Sequence, residues 1–324
     1  LTAVRTPRLT IFLTLFALLA VAVALPFSAD AKPKKKKPVP VKVTKAPFVG
    51  VADNNSPMFY DPKFKATGSK ISRRITPYDF YQDPIQLGYM DAWMKGAQDA
   101  GVDPLISFEH SYTYPTKLPT VAEYAEALTF ALNRYPNLKT VSPWNEANHK
   151  SQPTVNNPKR AAQYFNITKT ICPSCKIVAA DVLDQKNMMP WVKKFQKYAK
   201  KPSVWGLHSY TDTNGAKTWN KSTTKAFLGA VKGEIWLTEV GGIVAFNYKY
   251  AYNEQRAALA TTRALNLGLK SPRIKRIYLY CWFGVMNPGE GSYPYRWDSG
   301  MVSPNGAARA SYYALTNWLT KYRK

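Results

Sequence analysis

The chain is poor in the residues that build metal and redox centres, with three cysteines and three histidines among 324 residues. One CxxC stands alone, Cys172-Pro-Ser-Cys175, and no cluster of His, Asp or Cys has metal-ligand spacing. A zinc site and a disulfide scaffold are therefore not expected. The phosphate turns GxGxxG and GxxxxGK[ST] are missing too, so no nucleotide cofactor is expected. Acidic residues are outnumbered 20 to 45 by Lys and Arg, for a formal charge of +25. Setting aside +1 in residues 1–31 and +7 in residues 32–46 leaves +17 from Pro47 onward. That excess favours anionic surfaces such as wall polymers, lipid headgroups or acidic glycans. Specific nucleic-acid binding is not expected, because zinc-finger spacing, an RNP-like strand and a basic heptad helix are all lacking.

The N-terminal stretch reads as a targeting segment. Arg5 and Arg8 precede an uncharged run from Leu9 to Leu25, and Ala29-Asp30-Ala31 is a small-x-small cleavage site. An export signal over 1–31 follows, with a secreted or surface-associated product; an uncleaved anchor is the alternative, since an uncharged run of 17 residues approaches a membrane span. Residues 32–46, KPKKKKPVPVKVTKA, combine prolines with like charges and read as a disordered linker that adds no core and offers contact to an anionic wall or membrane. In an oxidising compartment Cys172 and Cys175 pair, and Cys281 is a buried free thiol.

From Pro47 to the C-terminus, short apolar runs alternate with longer amphipathic ones, the pattern of repeated βα units. Eight strands are predicted: 48–52, 70–76, 104–108, 140–144, 176–181, 204–209, 234–238 and 276–282. Helices are predicted over 56–65, 84–100, 120–135, 158–171, 190–200, 223–231, 253–269 and 305–319. Thr120 with Glu123 forms a capping box, and Pro84, Pro158 and Pro190 stand at helix starts. The expected fold is α/β, a (β/α)8 TIM barrel over residues 47–324, and a monomer.

In such a barrel, chemistry sits at the carboxyl ends of the strands. Those ends carry Trp144-Asn145-Glu146, His208-Ser209-Tyr210, Thr238-Glu239 and Cys281-Trp282. Units four and seven face each other across the mouth, so Glu146 and Glu239 can flank one scissile bond, the need of retaining glycoside hydrolysis. Glu109-His110, at the third strand end, reads equally as cleft lining or as a rim ion pair. Tyr112-Thr113-Tyr114 and the stretch 290–297 place aromatic rings on rim loops, for sugar stacking or plain packing.

The Asn-Glu ending strand four, the Glu of unit seven and the Trp ending strand eight resemble glycoside hydrolase clan A, the (β/α)8 retaining glycosidases. The resemblance spans Phe48 to the C-terminus and includes Gly300-Met301-Val302, Asn305-Gly306 and an aromatic closing helix. It implies Glu146 as acid/base, Glu239 as nucleophile and Asn145 as partner of the sugar 2-hydroxyl. It implies an Arg on strand two supporting the nucleophile, a strand-six His or Tyr in contact with it, filled by His208 or Tyr210, and Trp282 as a sugar platform. Arg73 and Arg74 point to opposite faces because side chains alternate. Arg73 is favoured for the inside, which leaves Arg74 as a surface charge. The expected activity is retaining O-glycoside hydrolysis of a carbohydrate. The alternatives are a non-catalytic carbohydrate- or wall-binding barrel and a transglycosylase using the same carboxylates.

Overall fold

A computed structural model of the chain describes residues 45–286 and 294–322. The expected export signal, the linker as far as residue 44, and residues 290–293 of the rim stretch lie outside the described residues.

Seven strands, β1 (Phe48–Ala52), β2 (Ile71–Pro77), β3 (Asp103–Glu109), β4 (Thr140–Ser142), β5 (Lys176–Leu183), β6 (Val204–His208) and β7 (Glu234–Val240), run parallel in chain order. A short strand β8 (Ala245–Asn247) follows, and β9 (Ile274–Tyr280) then pairs with both β7 and β1, closing an eight-stranded barrel. Closure leaves no barrel edge unpaired. The remaining β10 (Tyr295–Asp298) pairs antiparallel with β8, a two-stranded sheet not foreseen from sequence.

Helices α1 (Pro62–Thr67), α2 (Pro84–Asp99), α3 (Val121–Arg134), α4 (Pro158–Ile171), α5 (Met188–Gln196), α6 (Tyr210–Asn214), α7 (Thr223–Ala230), α8 (Glu254–Leu267) and α9 (Ala310–Tyr322) surround it. Their starts follow the sequence chemistry. The Thr120 hydroxyl accepts from the Glu123 amide, and the Glu123 carboxylate accepts from the Thr120 amide, which fixes the first turn of α3. Asp83 caps α2 through the Ile85 amide. Pro158 opens α4, where its missing N–H costs nothing.

Two helix expectations shift. The stretch predicted over 56–65 divides at Asp61-Pro62 into a 3-10 turn and α1, because proline cannot donate back into the preceding turn. The closing helix starts at Ala310 rather than Asn305, since the Asn305 side chain accepts from the Ala307 amide and holds a turn there. The expected disulfide joins Cys172 to Cys175 between α4 and β5, and Cys281 is free and buried.

Most of the core lies between strands and helices, with Trp93, Phe108, Tyr124, Tyr164 and Trp205 fully buried. A second, smaller cluster fills the lower barrel interior with Ala52, Ile71, Leu105, Val178, Val204, Trp236 and Tyr278. These side chains plug the barrel beneath the strand ends where the site lies.

Candidate active site

One step up the same strand faces, the interior becomes polar. Arg73 stands two residues after Ile71, Ser107 two after Leu105, Ser142 two after Thr140, and Thr238 two after Trp236, as the period-2 alternation of a strand requires. Arg73 has no solvent exposure and is the hub. Its guanidinium donates to Glu239 Oε2 (2.8 Å), Asn145 Oδ1 (2.6 Å), Asp181 Oδ2 (3.2 Å) and Ser107 Oγ (3.0 Å). With five donors in a planar fork it serves four acceptors on four residues, one more than the three donors of Lys could.

Glu239, near the end of β7, is held on both oxygens, by Arg73 at Oε2 and by the Tyr210 hydroxyl at Oε1 (2.9 Å). Tyr210 owes its position to a relay of caps. The Asp184 carboxylate accepts from the Thr211 and Asp212 amides at the start of α6, and the Asp212 carboxylate accepts from the Thr223 and Thr224 amides at the start of α7. Burial, with the Asp212 charge nearby, pushes the Asp184 carboxyl up to about 6.

Glu146 follows β4 on a turn with φ of 43°, an uncommon backbone for a side chain this large. It meets His208 from β6, with Nδ1 and Glu146 Oε1 3.1 Å apart. The other ring nitrogen of His208 lies 3.3 Å from Asp181 Oδ1. Burial alone would lower the His208 pKa, but the negative charges of Glu239 and Asp181 and the bonds to Asp181 and Glu146 raise it to about 9. Burial would likewise raise the Glu146 carboxyl, yet the bond and charge of His208, with His149 and Arg73, hold it below the ordinary carboxylate value. One oxygen each from Glu146 and Glu239 and one His208 nitrogen lie within 4.8 Å of one another. A metal would need a neutral imidazole there, whereas His208 is placed to carry a proton between acids.

Sequence reasoning missed Asp181. It is fully buried and accepts from Arg73, Ser142 Oγ (2.8 Å), Ser107 Oγ (3.2 Å) and the Thr238 hydroxyl. Arg73 and His208 overcome its burial and hold its carboxyl well below the ordinary range. Ala180 and Asp181 both have positive φ, 69° and 45°, and the β5–β6 register shifts there, so a bulge turns Asp181 inward. The available sequence signal was a charged residue inside an apolar strand. Gly206 on β6 makes the space: a Cβ at that position would lie 2.3 Å from Asp181 Oδ1.

Two expectations are corrected. Trp282 is not a sugar platform, since it has no exposed surface, packs edge-on against Phe64 (5.6 Å) and donates from Nε1 to Asp61 (3.0 Å). Strand β9 ends at Tyr280, and Asp53 binds the Trp282 and Phe283 amides, which turns the indole into the wall. Tyr280 and Trp297 face the cleft instead. Arg74 is not a surface charge: it is buried, donates to the Asn54 carbonyl, and burial lowers its pKa to about 10. The outer face of a barrel strand meets packed protein rather than water.

The cleft has a volume of about 600 Å³ and contains both glutamates, with Tyr210, Tyr280, Phe246 and Trp297 on its walls. Trp297 and Phe246 come from the two-stranded β8–β10 sheet, and Trp297 packs edge-on against Tyr210 at 5.0 Å. Glu109 touches the site through Asn145 Nδ2 (3.4 Å) and also accepts from Gln152 and Tyr112; burial raises its pKa. His110 lies 3.7 Å from Glu109. Tyr112 and Tyr114 border a separate hollow with Pro77 and Asp79.

The chain is similar in fold to a GH5_18 protein from Streptomyces cattleya in complex with GlcNAc, with 17% identity, a TM-score of 0.65, and coverage of 87% of this chain and 81% of that one. A GH5_18 protein from Bifidobacterium longum subsp. longum aligns at 13% identity and a TM-score of 0.62, over 86% of this chain and 80% of that one. Native xylanase 10B from Thermotoga maritima aligns at 12% identity and a TM-score of 0.60, over 85% of this chain and 95% of that one. A search of curated protein sequences gives no match. Residues 85–313 match the family described as glycosyl hydrolase catalytic core, a stretch that runs from α2 into the first turn of α9 and includes both glutamates. With that match over most of its length and the barrel it builds, this chain belongs to the glycosyl hydrolase catalytic core family and is a glycosidase.

Proposed function

We propose that the protein is a retaining glycosidase in which Glu239 is the nucleophile and Glu146 the acid/base. One observation carries the reading: the two carboxylates come within 4.8 Å, and their surroundings are opposite. Retaining enzymes hold this pair at about 5 Å. Glu239 is fixed on both oxygens by Arg73 and Tyr210, which suits an ionised group that must attack an anomeric carbon. Glu146 faces His208, and the pair shares a proton across 3.1 Å.

In the resting site that proton favours His208. When a sugar fills the cleft and excludes water, its transfer along the existing hydrogen bond leaves neutral Glu146 and neutral His208. Glu146 then protonates the departing glycosidic oxygen as Glu239 bonds to the anomeric carbon. A water enters, gives its proton to Glu146 and its oxygen to the same carbon, and frees Glu239. Asn145, fixed by Arg73, is the group that meets the sugar 2-hydroxyl.

The neighbours support a β-linked oligosaccharide as substrate class, since related structures hold Manb1-4GlcNAc and, for the xylanase of Thermotoga petrophila, xylobiose. The Cys172–Cys175 disulfide supports action outside the reducing cytosol, in keeping with export.

Azide separates the two carboxylates. On an activated aryl β-glycoside, Glu146→Ala should form the glycosyl-enzyme, stall, and with azide release a glycosyl azide of retained configuration. Glu239→Ala should lose turnover and with azide give inverted product. NMR of the products reads both, and an inverted hydrolysis product from the unaltered enzyme would overturn the retaining assignment.

A further inference from the structure

Outside the cleft, the most unusual feature is the charge on one side of the barrel wall. From Ala147 to Gly233 the chain carries 15 Lys and Arg and three acidic residues, Asp181, Asp184 and Asp212. All three acids are buried. Every acid in this sector is therefore turned inward, and its lysines are exposed. We infer that this face, centred on Tyr198 between α4 and α5, is a second binding site for an anionic polysaccharide.

Tyr198 supplies a ring that is 46% exposed, the one large hydrophobic side chain exposed between residues 147 and 233. Lys159 Nζ lies over that ring at 5.5 Å. The segment is fixed: the Asn166 side chain donates to the Tyr198 carbonyl (2.9 Å) and accepts from the Lys200 amide (2.8 Å), and Lys169 Nζ donates to the Lys200 carbonyl (3.0 Å). A hollow of about 410 Å³ lies beside it, bordered by Gln163, Asn166, Lys169 and Lys200. A tyrosine ring takes the apolar face of a sugar, and ammonium groups around it take carboxylates or phosphates on the same chain. A row of such groups, from Lys193 and Lys194 on α5 and Lys197 at its C-cap, extends the charge along the wall.

The face continues to the cleft. Lys150 and Lys186, both exposed, follow His149 and Gln185, which line it, so the basic sector reaches the cleft rim. A membrane is a poorer match, because a convex wall with one exposed ring offers little to insert. That the occupant is a glycan rests on the glycosidase reading; the basic face does not.

The test is binding of the full chain to polygalacturonate at two salt concentrations, with phosphatidylserine vesicles and single-stranded DNA as competing probes. The Lys-rich residues 32–45 are common to all variants and cancel in the comparison. Lys193→Glu, Lys194→Glu and Lys197→Glu together should weaken polygalacturonate binding at least about tenfold and flatten its salt dependence. The matched control Lys65→Glu, Lys70→Glu and Lys95→Glu, on the opposite wall, should change it less than about twofold. Tyr198→Ala should weaken binding with the salt dependence unchanged. If the reversed helix fails to fold, Gln at the same three positions gives the same ordering. Equal loss in both triple variants, or tighter binding to vesicles or DNA than to polygalacturonate, overturns the inference. Hydrolysis of a small aryl glycoside should be unaffected by the α5 variant. If the unaltered enzyme cleaves no glycoside yet binds polygalacturonate through this face, the catalytic reading fails and the surface stands.

Discussion

The lower and upper halves of the barrel interior are made by the same strands and share almost no chemistry. Below, Ile71, Leu105 and Val178 pack with the rings of Trp236 and Tyr278, whose polar atoms bond to Glu234 and Arg276. Two residues higher on the same faces, Arg73, Ser107, Thr238 and, through the β5 bulge, Asp181 form a closed set of charges and hydroxyls. The lower layer is where burial gains stability and the upper layer is where burial costs it, because ions leave water there. The cost is offset by pairing each ion with its neighbours, and the product is a carboxylate pair held in fixed geometry.

The largest effect should come from removing the hub. Arg73→Met leaves Asp181 and Glu239 buried without their cation, which should cost about 3–5 kcal/mol in denaturant unfolding and abolish turnover. If the upper layer tolerates this change, the division between the two halves is wrong. Trp236→Ala is the matched lesion below: it should also cost about 3–5 kcal/mol by cavity formation, but turnover per folded molecule on an aryl glycoside should stay near normal. Loss of turnover in a well-folded Trp236→Ala protein would show that the lower layer sets the site's geometry.

A pH titration sharpens the contrast next. His208 is raised in the folded state from the ordinary 6.5 to about 9, so its contribution is fully present below 6.5 and is lost as pH rises to about 9. Thermal unfolding should show a decline over that window that His208→Gln removes. With the roles proposed above, turnover should fall over the same window, since the pair loses the proton assigned to Glu146. Smallest of all, Cys172→Ser with Cys175→Ser opens a short loop and should cost about 2 kcal/mol or less, with turnover unchanged.

The barrel was legible in the sequence because eight apolar runs with amphipathic helices between them allow few other topologies. The glutamates were legible because strand ends in a barrel meet at one mouth. What failed was the reading of faces. A parallel strand is buried on both sides, so alternation between Arg73 and Arg74 marks inside and outside of the sheet, and neither side is water. Trp282 misled for a related reason, since the chain leaves β9 two residues earlier than expected and its ring goes into the wall. Asp181 was hidden by the bulge. Counting by twos from Val178 puts residue 180 inside, and one extra residue delivers the acid in its place.

Gly206 limits the routes by which this site can change. Any side chain there meets the Asp181 carboxylate, at 2.3 Å for a first carbon, and also the Asp181 backbone at 2.9 Å. The backbone contact, and Val178 Cγ1 at 2.9 Å, remain whatever residue stands at 181, so Ala at 206 requires the β5 bulge itself to move, and an inward acid at 181 requires glycine at 206. In a library that varies both positions, an acid at 181 should appear only together with glycine at 206, while glycine at 206 should persist with other residues at 181.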